Sequence, residues 1–258
     1  MRLEVKGVRK SFGSKEVLRD LSLHVSDGEF VSLIGPSGSG KTTLFSVIGG
    51  LELPEAGEIR IQGRETTGER GNVAYMPQQA SLLPWRTVAG NIETALAIAG
   101  LEKKRSKELA LEWLARVGLS DYASEYPHVL SGGMQQRVSF LRALLSPRTL
   151  MLLDEPFGAL DALTRLQMQK WLLSIWEEHR RSVLLVTHSI EEALYLSDRI
   201  IVLSASPAHA VDEIVVPFER PRREDLWTDP RFNELKARIY GHLQGGSKEA
   251  GVHGGSLG

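Results

Sequence analysis

The sequence predicts an α/β fold: a sheet of buried strands with an antiparallel β flank beside it and a strand-poor helical stretch between Trp85 and Leu145. Three observations predict this. The apolar run Phe30-Val31-Ser32-Leu33-Ile34 leads straight into a glycine-rich turn and a helix start. Two further apolar runs, Thr149 to Leu153 and Ser182 to Val186, are followed by titratable groups, Asp154-Glu155 and His188. Open α/β sheets place ligands at such carboxyl ends of buried strands. Between Trp85 and Leu145 strand patterns disappear and helical spacing takes over.

From the N-terminus, Arg2 to Val8, Val17 to Val25 and Glu58 to Gln62 are alternating or β-branched runs, and give the antiparallel flank. Met1 to Lys6 alternates like a strand and carries no signal-peptide core. After the strand at Phe30 comes Gly35-Pro36-Ser37-Gly38-Ser39-Gly40-Lys41-Thr42-Thr43, the G-x-x-x-x-G-K-[ST] phosphate loop in its required strand–turn–helix context. Gly35, Gly38 and Gly40 let the backbone wrap so that successive amides point at phosphate oxygens. Lys41 supplies a point charge for the outer phosphates and the Thr42 hydroxyl a magnesium ligand. The helix starting near Lys41 adds its positive end. The segment therefore reads as a nucleoside triphosphate site.

Asn72 to Met76 is the next strand, followed by Pro77-Gln78-Gln79 and Leu82-Leu83-Pro84-Trp85. Ser106 to Val117 reads as a helix with Leu109, Trp113, Leu114 and Val117 on one face and Gly118 as its stop. Ser131 is an N-cap candidate, with Gly132 and Gly133 beside it and Val138, Leu141, Leu144 and Leu145 at helical spacing behind. On physical grounds alone this start suits a second anion or an ordinary capped helix equally well. Leu160 to His179 is a longer helix carrying Leu163, Leu166, Trp171, Ile175 and Trp176, whose tryptophans read as core. Ser189-Ile190-Glu191-Glu192 is a capping box behind His188. Arg199 to Ser204 and Ala210 to Val216 are closing strands, and Pro230 to Leu243 is helical. The glycine-rich stretch from 244 to 258 reads as a flexible tail.

Composition sets limits. The 258 residues can bury one large core or two modest ones. With 42% hydrophobic and 24% charged residues the chain has a soluble globular composition, and no apolar run approaches a bilayer span. The absence of cysteine excludes disulfides and thiolate metal sites, and suits a reducing cytosol. A net charge of −1 gives no pull toward nucleic acid or anionic lipid, so membrane attachment would need a partner.

Leu130-Ser131-Gly132-Gly133-Met134-Gln135-Gln136-Arg137 resembles the signature motif of ABC-type ATPases, with Met134 where the family usually has Gln. With that resemblance the remaining segments acquire expected roles. Thr149 to Pro156 looks like the Walker B strand, Asp154 holding magnesium through water and Glu155 polarising the attacking water. His188 matches the switch histidine that contacts the γ-phosphate. Gln78, rather than Gln79, matches the residue bridging magnesium and that water, although Pro77 stands where the family commonly has Phe. Lys10-Ser11-Phe12-Gly13 resembles the loop whose aromatic ring, here Phe12, stacks on adenine. Gly158-Ala159-Leu160-Asp161 matches the D-loop, which in relatives makes subunit contacts.

The resemblance spans residues 1–243, with a helical subdomain at about 86–146 inserted in the nucleotide-binding core. Leu82 to Val88, Pro156 to Arg165 and the closing stretch from Val202 to Pro221-Arg222 resemble the nitrate/sulfonate/taurine importer branch. It implies ATP and Mg2+ as ligands and an integral-membrane permease as partner. A second copy of the chain in a head-to-tail dimer, and indirectly an extracytoplasmic solute-binding protein, are implied as well. The location implied is the cytoplasmic face of the membrane, and the solute a small one such as nitrate, a sulfonate, taurine, bicarbonate or a pyrimidine precursor. A DNA-repair ATPase of related fold would carry a long heptad insertion, whereas about ninety residues without heptads separate Lys41 from Ser131. A ribosome-binding factor would carry two cassettes, and a phosphate-loop kinase would lack the signature and switch histidine.

Overall fold

The computed structural model describes residues 1–222 and 224–251. It divides into two compact units, Met1–Asn72 with Leu173–Gly258, and Val73–Leu172.

The first unit opens with a hairpin, β1 (Leu3–Phe12) and β2 (Lys15–Val25), paired from Leu3 opposite Val25 to Phe12 opposite Lys15 with register shifts between Val5 and Ser11. Gly13 turns it with φ 60°, a conformation that favours glycine. Next come β3 (Phe30–Ile34), α1 (Lys41–Ile48), β4 (Ala56–Ile61) and β5 (Arg64–Glu65). The flank has the order β2-β1-β4-β5, every pairing antiparallel, as the alternation predicts. Leu3, Val5, Leu21, Leu23, Val25 and Ile59 bury its inner face.

The same unit contains β8 (Ser182–Val186), α6 (Ile190–Leu196), β9 (Arg199–Leu203), β10 (Ala210–Val215) and α7 (Pro230–Gly251). Here β3 lies between β8 and β9, parallel to both, and β10 closes the edge antiparallel to β9. β3, β8 and β9 are buried along their whole length, which is why they read as continuous apolar runs. Arg199 pins this sheet with a fork on Glu29, Nε to Oε1 at 2.8 Å and NH2 to Oε2 at 3.0 Å. Burial pushes the Glu29 carboxyl up, but the Arg199 hydrogen bonds, the Ser26 amide and the neighbouring positive charge together hold the group below its ordinary value.

The second unit contains β6 (Ala74–Met76), α2 (Val88–Ile98), α3 (Lys103–Arg116), α4 (Gly132–Leu144), β7 (Leu150–Asp154) and the first part of α5 (Ala162–His179). β6 and β7 pair in parallel, with Met76 opposite Leu153. α2 packs on both α3 and α4. The sequence gives α2 only a general helical character, yet its start is marked: Thr87 Oγ1 accepts from the Gly90 amide at 3.0 Å.

Two expectations change. Asp161 Oδ1 accepts from the Thr164 amide at 3.0 Å and caps α5, so that helix begins at Ala162. Its first turn lies outside the core: Leu163 is 67% exposed, and the buried face starts at Met168. Trp176 is core, edge-on to Phe30 at 5.7 Å, while Trp171 is half-buried against Trp113 and Phe140. Second, α7 carries the helix to Gly251, beyond Leu243 and into the stretch read as a flexible tail. Residues 252–258 lie outside the described residues.

Candidate functional site

In the first unit β3 delivers the chain into the loop Gly35 to Gly40, and α1 starts at Lys41. Gly40 has φ 95°, and a Cβ there would stand 2.8 Å from Val17 Cγ1, so only glycine fits. Gly38 has φ 74° and open space before it. No side-chain cap takes the first-turn amides of α1, which leaves this end suited to an anion. Ser37, Gly38 and Thr42 are exposed, Pro36, Gly40 and Thr43 half-buried, Gly35 and Ser39 buried.

Lys41 is 8% exposed, with Nζ donating to Gly35 O and Pro36 O, both at 2.8 Å, and to Ser39 Oγ at 3.2 Å. The ammonium is thus folded back over its own loop rather than extended. A phosphate at this loop would replace these neutral acceptors with anionic ones.

The same unit presents His188, exposed just beyond β8. Behind it Ser189 Oγ accepts from the Glu192 amide at 3.1 Å, capping α6, and the Ser189 amide donates to Thr187 Oγ1 at 3.1 Å. The backbone on either side of the imidazole is therefore fixed. Phe12, at the tip of the β1–β2 hairpin, is 49% exposed, with Lys10 Nζ 5.0 Å from its ring centroid.

In the second unit Asp154 ends β7 and is 1% exposed. Burial first, and then the Asp154 carboxylate, push the neighbouring Tyr75 phenol up to about 12. Glu155 follows with φ 48°, a left-handed backbone that costs a non-glycine residue about 1–3 kcal/mol. Such strain concentrates at functional positions, and no sequence signal announces it.

The register Met76 opposite Leu153 sets Gln78 and Glu155 at the same level, two residues past each strand partner. Gln78 Nε2 donates to Glu155 Oε2 at 3.0 Å. The Gln78 carboxamide oxygen then remains as a hard donor suited to a cation such as magnesium. Gln79 makes no such contact; its carbonyl accepts from Ser81 Oγ. The following loop is braced by residues the sequence does not single out. Asn91, fully buried, accepts from the Leu83 amide at 2.8 Å and donates to three carbonyls of the loop, and Arg142 donates to Ser81 O at 2.8 Å.

Ser131 caps α4, Oγ accepting from the Met134 amide at 3.3 Å, and both Ser131 and Gly132 are exposed. Gly133 has a packing reason: a Cβ there would stand 3.0 Å from Leu160 Cδ2 and 3.4 Å from Ala159 O. Gln136 ties the helix to that segment by accepting from the Ala159 amide at 3.1 Å, and Arg137 ties it to Val117 O at 2.8 Å. Asp161 is held by the Thr164 hydrogen bonds, which lower its carboxyl below the usual range. It serves as a helix cap. Among the described residues no three His, Cys, Asp or Glu side chains cluster as a metal site, so a cation here would rest on mixed oxygen donors and water.

Chemically, the first unit offers a phosphate cradle with a buried cation, and the second a strained carboxylate aligned by an amide. The ABC transporter family model matches residues 18–158. The chain is 45% identical over 223 residues, 86% of its length and 90% of the relative's, to the aliphatic sulfonates import ATP-binding protein SsuB of Zymomonas mobilis. It is 40% identical over 246 residues, 93% of its length and 96% of the relative's, to the taurine import ATP-binding protein TauB of Yersinia pestis. Among solved structures it is similar to the dimeric post-hydrolysis state of the ATP-binding cassette MJ0796 bound to ADP and Pi. The TM-score is 0.76 at 31% identity, covering 84% of this chain and all of that one.

Proposed function

We infer the function from one premise: the chain belongs to the ABC transporter family, whose ATP-binding cassettes it matches in sequence and fold. It is an ATP hydrolase, and we propose that it is the ATP-hydrolysing subunit of an importer for a small solute, an organic sulfonate such as taurine being the leading class. The full-length similarity to sulfonate and taurine import proteins supports that branch. A nitrate, bicarbonate or pyrimidine-precursor importer is the wider class implied by the same branch resemblance.

The observation carrying the mechanism is the Gln78–Glu155 hydrogen bond at 3.0 Å. Glu155 accepts a proton from the water that attacks the γ-phosphorus of ATP, and Gln78 fixes the direction of the carboxylate. Lys41 and the amides from Gly35 to Thr43, with the Ser37 and Ser39 hydroxyls and Pro36 shaping the loop, hold the phosphates. Phe12 stacks on the adenine ring. His188, rigidly mounted ahead of α6, donates to the γ-phosphate as charge shifts to it. Thr42, Gln78 and Asp154 are the hard oxygen donors that would hold Mg2+, which supplies charge neutralisation to the phosphates.

The working unit we propose is a head-to-tail dimer in which Ser131, Gly132 and Gly133 of one copy grip the γ-phosphate bound to the other. The exposure of Ser131 and Gly132 supports it, as does the dimeric cassette that retains Pi beside ADP. Closing on the γ-phosphate removes water from the charges and strengthens each donor contact. Glu155→Gln protein should sediment as a dimer with ATP and as a monomer with ADP alone. Adding Ser131→Arg should abolish the dimer while each monomer still binds ATP. A monomer that hydrolyses ATP at full rate with its 131–133 segment disrupted would sink the model.

A permease partner on the cytoplasmic face of the membrane follows from the importer reading, since no helix among the described residues is long and apolar enough to cross a bilayer. The second unit supports a docking surface: Trp85 is 71% and Ile98 70% exposed, and Ile98 and Leu101 line an open cleft there. An extracytoplasmic binding protein would deliver the solute to that permease. Co-expressed with the permease gene beside its own, the tagged chain should copurify with an integral membrane protein and without nucleic acid. Recovery of nucleic acid and no permease would overturn the importer reading.

A further inference from the structure

We propose that the arginine cluster between β10 and α7 is a binding site for a small oxyanion, separate from the nucleotide machinery. Residues 217–222, 226 and 228–231 of the first unit line an open cleft of about 720 Å³. Arg222 lines it and is 7% exposed. Only its NH2 has found an acceptor, Ser197 O at 2.9 Å; Nε and NH1 are buried without a hydrogen-bond partner among the described residues. A guanidinium carries five donors and keeps its charge, so leaving most of them unmatched out of water is costly.

Among the described residues no carboxylate hydrogen-bonds Nε or NH1 of Arg222, although the charges of Asp198 and Glu177 favour its protonated form. Arg220 is engaged elsewhere: Nε donates to Asp198 Oδ1 at 2.8 Å, NH2 to Leu196 O at 2.7 Å, and its guanidinium lies 4.1 Å over Trp176. Asp229 is committed to Arg231 through Nε and NH2, and also caps the Arg231 amide at 2.8 Å. Glu219 is exposed on the lining. Burial, and after it the charge of Arg220, push Arg222 down to about 10, which still leaves it protonated at neutral pH. Arg222 and Arg231 both stand against the Phe218 ring, 5.7 and 5.3 Å from its centroid.

A buried cation with open donors beside an open cleft calls for an anion with several acceptor oxygens. The exposed Glu219 carboxylate in the lining disfavours an acidic macromolecule, so the ligand is a small sulfate-, sulfonate- or phosphate-like group. Arg220 and Arg222 donate to the carbonyls of Leu196 and Ser197, at the C-terminal end of α6. An oxyanion that fixes them should also quieten that helix, whose other end follows His188.

The test uses the full-length protein saturated with ADP, so that the glycine-rich loop is already filled. Inorganic sulfate and methanesulfonate are titrated by calorimetry, with hydrogen exchange followed at both concentration limits. Saturable binding is expected, with slowed exchange at residues 195–198 and 217–222. A preference for methanesulfonate would assign the site to organic sulfonates, and a preference for sulfate to the inorganic anion. Arg222→Gln should weaken binding at least about tenfold. Arg222→Lys, which keeps the charge and loses the planar donor set, should weaken it less. Absence of saturable heat, protection confined to residues 35–43, or unchanged affinity in Arg222→Gln would overturn the proposal. If Arg222→Gln fails to fold, the wild-type exchange map and Arg222→Lys decide.

Discussion

Glu155→Gln should bind ATP as tightly as the parent chain and hydrolyse it about 10²- to 10⁴-fold more slowly. The substitution keeps the shape and the hydrogen bond to Gln78 Nε2, since an amide oxygen still accepts at 3.0 Å. It removes only the ability to take a proton from water. The left-handed backbone at φ 48° is also equally strained in both chains, so the loop should hold its position. Single-turnover hydrolysis and equilibrium nucleotide binding, measured side by side, separate the two effects. Normal turnover in Glu155→Gln would move the catalytic role to another carboxylate. Asp161 is not free for it, since its carboxylate caps α5.

Lys41→Ala should lose both steps, with ATP affinity down about 10²-fold and hydrolysis undetectable above background. The charge proposed to face the β- and γ-phosphates goes, and no other side chain of the loop carries one. The same change strips Gly35 O, Pro36 O and Ser39 Oγ of their shared donor, so the empty loop should loosen as well. Lys41→Arg tests the distinction: it retains charge, but a planar fork cannot reproduce a compact ammonium aimed at these acceptors, and binding should remain impaired. Added magnesium should not rescue either variant, because a cation in solution does not substitute for a donor held by the loop. Titration of nucleotide, with circular dichroism as the control for folding, reads the result. An unchanged affinity in Lys41→Ala would remove this lysine from the site.

The chemistry was legible in the sequence wherever it is local. Gly40 beside Lys41 specifies a left-handed turn at φ 95° and a helix start in consecutive residues, and Ser131 ahead of Gly132 specifies a cap within one turn. Apolar runs such as Leu150–Asp154 and Ser182–Val186 marked the buried strands because strands covered on both faces admit little else. The turn-by-turn boundary of α5 was less legible. An apolar residue at helical spacing, Leu163, does not reveal that its turn projects into solvent.

What belongs to the sequence by itself, then, is the identity and order of the groups: a phosphate loop, an acidic pair after one strand, a histidine after another, and a family to which that order is peculiar. Only the tertiary structure decided which of them meet and in what posture. Gln78 and Glu155 lie 77 positions apart, and they touch because the parallel register of β6 on β7 sets Met76 opposite Leu153. The tight packing of Gly133 against Leu160 and the unfilled donors of Arg222 have the same origin. A motif encodes dihedral preferences and donors within a few residues of one another. Contacts between distant segments depend on strand register and on the burial of neighbours, which no local spacing contains.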